Sequence, residues 1–321
     1  MIDADRTREP SAPPPGGALA RRVAAHPLAS FFALAFAGSW TAILPSLLGR
    51  TGLGVFDYAL PESVGLVLYI VVAPIAGPGL AAFAVAYAQG GAAGARDLLR
   101  RCLLWRVPPL WGAIALFVFF LGFLISAGFT LGLGPVRALA TQWPRLLTVF
   151  LPTTALLTIA GLFGEEPGWR GFALPRLQAR FGPVVASGIL GLVHGLWHLP
   201  AFFVAGALGP YAPPRFAAFV LAGIAGTLVY TWIFNHAGGS ILLLTVTHAA
   251  SNAASAFIGR YLVPHDPDLH GIVRTFHEQG WDNVLAFLLL AGVLLVGTLG
   301  RLGLPEDDDE AVGGGGQGAP A

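Results

Sequence analysis

Long apolar runs alternate with short polar breaks along the chain. The runs fall near residues 28–48, 64–87, 110–133, 147–163, 183–204, 216–234, 241–258 and 284–299. They approach or exceed the ~18–20 residues that an α-helix needs to cross about 30 Å of hydrocarbon, and Pro, Gly or charge bounds each of them. A transmembrane strand needs only about 10 residues, with polar positions alternating toward a lumen, and that alternation is absent. The pattern predicts an all-α, polytopic transmembrane helix bundle of about eight spans with a cavity inside it. Residues 1–27 and 302–321 are expected to be flexible tails around a helical domain at 28–301. The stretches "SAPPPGGALA" and "PEDDDEAVGGGGQGAPA" in those tails carry no apolar periodicity. The first run follows a Pro-rich leader without a convincing cleavage site, so it is expected to be a retained span and not a secretory signal.

Composition agrees with the pattern. Hydrophobic residues make up 55% of the 321 positions and charged residues 11%, and mean hydropathy is +0.70. That is more apolar side chain than a water-facing surface accommodates. All 18 basic residues are arginines. Arg21 and Arg22 precede the first run, and Arg96, Arg100, Arg101 and Arg106 crowd the break between the second and third. Positive residues stay inside, so both termini of a multi-pass cell-membrane protein are expected in the cytoplasm, with Arg50, Arg137 and Arg145 in outward loops. A net charge of +1 leaves no footprint for nucleic acid. The lone Cys102 excludes an internal disulfide framework.

Three polar stretches interrupt this background. "FGEEPGWRGF" places Glu165, Glu166 and Arg170 at the end of the fourth run, where Pro167 and Gly168 bend or stop a helix. An interfacial charge cluster is the structural reading, but ionisable groups at a membrane span are expensive and point to function. "GLVHGLWHLPAFF" sets His194 and His198 one turn apart on one helix face, a spacing that suits a metal ion or a substrate group. "LLLTVTHAASNAASAF" sets His248 and Asn252 in the same relation among small residues that permit close helix approach. A carboxylate, imidazoles and an amide from three spans supply a base for water, a proton carrier and a donor to an oxyanion. The acidic run 306–310 reads as a solvated tail. His265, Asp266, Asp268, His270 and His277 read as ordinary polar loop residues, their spacing matching no closed zinc pattern.

In order and spacing, Glu165-Glu166-x-x-x-Arg170, His194-x-x-x-His198 and His248-x-x-x-Asn252 resemble the motifs of the CPBP, or Abi, family of intramembrane proteases, which includes the type II CAAX prenyl endopeptidases. The likeness covers a core at about 147–258. His194 departs from it, standing where the family has an aromatic residue. The resemblance implies a metalloendopeptidase in which Glu165, helped by His198, activates water. His248 and Asn252 would stabilise the oxyanion, and Arg170 would orient the acids with Glu166 in support. It leaves open a zinc ion on Glu165, His198 and His248, with His194 as second choice. The implied partners are a peptide or protein substrate in the membrane and the lipid bilayer, reached through a cavity expected to open toward the cytoplasm. A non-catalytic immunity or partner protein and a proton-coupled carrier are the alternatives from other classes.

Overall fold

A computed structural model describes residues 17–204, 207–208, 211–263 and 279–304. The loop acids and histidines at 265–277, the acidic run 306–310 and residues 1–16 lie outside the described residues.

Each apolar run becomes helix. The elements are α1 (Ala18–Ala25), α2 (Pro27–Leu48), α3 (Glu62–Val67), α4 (Leu80–Cys102), α5 (Pro109–Leu131), α6 (Gly134–Gln142), α7 (Leu151–Gly161), α8 (Leu174–Trp197), α9 (Pro213–His236), α10 (Ile241–Tyr261) and α11 (Trp281–Gly297). No strand occurs among the described residues. Proline opens α2, α5 and α9, where its missing N–H is no loss. Ser240 caps α10, accepting from the Leu243 N–H at 3.1 Å while its hydroxyl donates to the Leu104 carbonyl at 2.6 Å. α1 lies inside the stretch expected to be a tail; its Ala-rich sequence favours helix, although none of its residues is buried.

Among the described residues, six helices are long and apolar enough to cross a membrane: Pro27–Leu48, Glu62–Cys102, Pro109–Leu131, Pro167–Phe203, Pro213–His236 and Ile241–Tyr261. A pair bent by 77°, Gly134–Gln142 with Leu146–Gly161, makes a seventh, and the 17-residue apolar helix Trp281–Gly297 completes the correspondence with the eight runs. Two breaks shape the bundle: α4 turns at Gly91, with φ +59°, and α8 at Gly182, with φ +72°.

Wide, π-helical turns interrupt the spans at Leu68–Val72, Ile75–Gly79, Leu146–Phe150 and Pro167–Ala173. Such turns are rare and recur at functional sites. All seven residues of the last one are buried. Trp169 and Phe172 pack on Phe31 of α2, with ring centroids 5.4 and 5.2 Å apart. Small residues set the other contacts. A Cβ on Gly191 of α8 would lie 2.5 Å from the Ile224 Cα of α9, so only glycine permits that approach.

Candidate active site

After α7 the chain turns through Gly164 and enters the helical turn that begins with Glu165 and Glu166. Neighbouring helical side chains point about 100° apart, so adjacent acids reach different partners. Glu165 Oε2 lies 2.6 Å from Nε2 of His194 on α8. Glu166 Oε1 accepts from Arg170 Nη1 at 2.9 Å and from Nδ1 of His248 on α10, also at 2.9 Å. Glu166 and Arg170 have side chains 1% and 2% exposed. A charge so deep is tolerable only when paired, and here the pair also carries an imidazole. The Arg170 guanidinium lies 4.3 Å from the Tyr230 ring centroid, which adds a cation–π contact.

Each imidazole is oriented. His198 Nδ1 lies 2.9 Å from the His194 carbonyl. A carbonyl only accepts, so Nδ1 carries the hydrogen and Nε2 of the neutral ring keeps its lone pair for a proton, substrate or metal. Tyr69 and Phe219 meet the His198 ring edge-on at 6.3 and 4.9 Å. His194 lies 5.2 Å from Trp169 and 6.0 Å from Trp197. His248 spends Nδ1 on Glu166, leaving Nε2. Asn252, one turn further along α10, is exposed on the cavity wall.

These groups line one cavity of about 810 Å³, within the ~300–1,000 Å³ usual for ligand pockets. Glu165, Glu166, Arg170, His198, His248, Asn252 and the second-choice His194 all contribute to its wall. His194, ranked behind His198 on sequence, is the direct partner of Glu165. The ranking follows the family motif, in which His198 is the motif histidine and His194 stands in place of an aromatic residue, whereas α8, starting at Leu174 and turning at Gly182, brings His194 to Glu165. Tyr69 and Tyr230 also line the cavity and went unnoticed in sequence. A tyrosine within an apolar run reads as core, and nothing in "LVYTW" distinguishes it.

Glu165, His194 and His198 each offer a ligand atom within 4.8 Å of the others. One carboxylate and two imidazoles form a recognised catalytic zinc set with an open position, so these residues fit a divalent ion. The expected trio with His248 differs from this group, because His248 is bonded to Glu166.

The cavity reaches Ala207, Leu208, Arg215, Gln279 and Asn283, beside the loops that follow the fifth and seventh spans. That is the bundle end opposite the Arg96–Arg106 connection.

Residues 145–254 match the family model described as Type II CAAX prenyl endopeptidase Rce1-like. A stretch of 57 residues is 46% identical to the CAAX prenyl protease 2 of Methanococcus maripaludis, over 18% of this chain. The match spans about a fifth of that relative, 21% of its length.

Proposed function

We propose that this membrane protein is an intramembrane endopeptidase of the CPBP/CAAX type, a reading supported by the match of residues 145–254 to the type II CAAX prenyl endopeptidase model and by the likeness to CAAX prenyl protease 2. The observation that carries the reading is the bond between Glu165 and His194, set in a cavity wall with His198, His248 and Asn252. A peptide in this cavity presents its carbonyl between two groups of side chains. On one side Glu165, aligned by His194, takes a proton from water as the oxygen attacks the carbonyl carbon. His198, with Nε2 unprotonated, accepts a hydrogen bond that orients the same water.

On the other side the developing oxyanion accepts hydrogen bonds from the Asn252 amide and from Nε2–H of His248 as imidazolium, with Glu166 as its counter-charge. Collapse of the tetrahedral intermediate breaks the C–N bond, and Glu165 returns its proton to the leaving amine. Arg170 holds Glu166 and so acts through it. Where a divalent ion is bound, Glu165, His194 and His198 would hold it, and it would add Lewis acidity at the water and carbonyl.

The test is Glu165→Gln in full-length protein reconstituted in lipid vesicles, with membrane peptides compared by mass spectrometry. Loss of at least about 10²-fold in cleavage, on the scale of general-base catalysis, is expected. Cleavage at the parent rate would remove Glu165 from the chemistry. Ion flux without cleaved product would favour a carrier.

A further inference from the structure

At the bundle end away from the loops that the cavity reaches, two guanidiniums close on one turn of backbone. Arg101, in the last turn of α4, donates from Nη2 to the Gly171 carbonyl at 2.6 Å. Arg176 of α8 donates from Nη1 to the next carbonyl, Phe172, at 2.9 Å, and from Nη2 to Gln89 Oε1 at 2.9 Å. Serving consecutive carbonyls places the two cations side by side, close enough for the Arg101 charge to act on Arg176. Neither pairs with a carboxylate among the described residues. Asp97, the acid that acts on Arg101, is ion-paired with Arg100 at 3.6 Å.

Two adjacent, partly buried cations whose nearby acid, Asp97, is already paired with Arg100 are costly, and an anion with several oxygens relieves them. A guanidinium fork matches phosphate geometry. The rim of the site is amphipathic. Arg106 lies 5.4 Å from the exposed Trp105 ring, Arg180 lies 5.1 Å from the exposed Phe181 ring, and Leu103, two residues after Arg101 in sequence, is exposed. Exposed aromatics under cationic heads are the chemistry of the lipid interface, and basic pockets between spanning helices bind lipid headgroups.

We propose that Arg101 and Arg176 bind the phosphate of an anionic phospholipid headgroup, with Leu103, Trp105 and Phe181 against the top of its acyl chains. The same two arginines hold Gly171 and Phe172, so the bound lipid braces the turn that carries Glu166 and Arg170. Lipid binding is read independently of cleavage, so its outcome stands apart from the protease reading.

The experiment uses full-length protein in nanodiscs of phosphatidylcholine with and without phosphatidylglycerol, counting retained lipids by native mass spectrometry. Selective retention of phosphatidylglycerol is expected, and R101Q/R176Q should weaken it by about thirtyfold, from ~1 kcal/mol per arginine near an anionic surface. A melting transition checks that the variant folds. If the double variant does not fold, R176Q alone decides, with a loss of about fivefold. Equal retention of both lipids by the parent protein overturns the proposal. So does a folded variant that keeps the preference, or retention of inorganic phosphate in place of lipid.

Discussion

Glu165 and Glu166 are one peptide bond apart, yet their surroundings separate their chemistry. Glu166 is sealed and doubly engaged, by Arg170 and His248. Glu166→Ala would strand the Arg170 guanidinium in a site only 2% exposed. Breaking a buried pair from one side costs about 3–5 kcal/mol, so the melting temperature should fall along with cleavage. Asn252 sits on the cavity wall instead, and Asn252→Ala should leave melting almost unchanged while turnover drops about 10²–10³-fold, the loss expected for one oxyanion donor. Similar melting losses in both variants would undo this division. His194→Phe restores the aromatic that the family likeness leads one to expect, but removes the 2.6 Å contact to Glu165. A reduction in kcat of about 10–100-fold is expected, by analogy with the loss of an orienting partner. A variant as active as the parent would show that His194 is only a packed ring.

At the scale of elements, the turn Pro167–Ala173 governs where the acids point. Its Gly168 lies so close to the Ile75–Gly79 turn that an added Cβ would be 2.6 Å from both the Cβ and the carbonyl oxygen of Pro78. Gly168→Ala must push backbone apart, so a cost of about 1–3 kcal/mol and a fall in cleavage are expected together. Gly188→Ala, on α8 with nothing within 4 Å, serves as the comparison and should melt like the parent. Equal melting of the two variants would deny the turn its part in setting the acids.

The spans were legible because apolar length is a coarse signal that survives local irregularity. The wide turns were not. Leu68–Val72 and Pro167–Ala173 keep the same apolar content whether wound at the ordinary pitch or a looser one. The one-turn spacings of His194 with His198 and of His248 with Asn252 translated directly into shared faces. The cross-links between helices did not. That Glu165 meets His194 while Glu166 meets His248 depends on how α8 turns at Gly182 and how far α10 slides along α7, and neither is written in a single segment.

On the scale of the whole molecule, charge is distributed unevenly between the two ends. Arg96, Arg100, Arg101, Arg106, Arg176 and Arg180 lie at one end, where Asp97 is their acidic neighbour. Asp57, Glu62 and Asp282 lie toward the other end, at the mouth of which are Arg215 and Gln279. Positive residues stay on the cytoplasmic side, so the arginine-rich end is expected in the cytoplasm. In that orientation the cavity wall at Arg215 and Gln279 lies on the outer side, and under the proposed function a peptide would reach Glu165 from there or laterally from the lipid. Single cysteines in a Cys102→Ser background test this arrangement in intact cells. A membrane-impermeant maleimide should label Gln279→Cys in the cavity wall and spare Leu103→Cys, which is exposed at the arginine-rich end. The reverse pattern would put the termini outside and open the cavity to the cytoplasm. It would also move the anionic-lipid site on Arg101 and Arg176 to the outer leaflet, where phosphatidylserine and phosphoinositides are scarce, so one labelling experiment bears on both ends of the molecule.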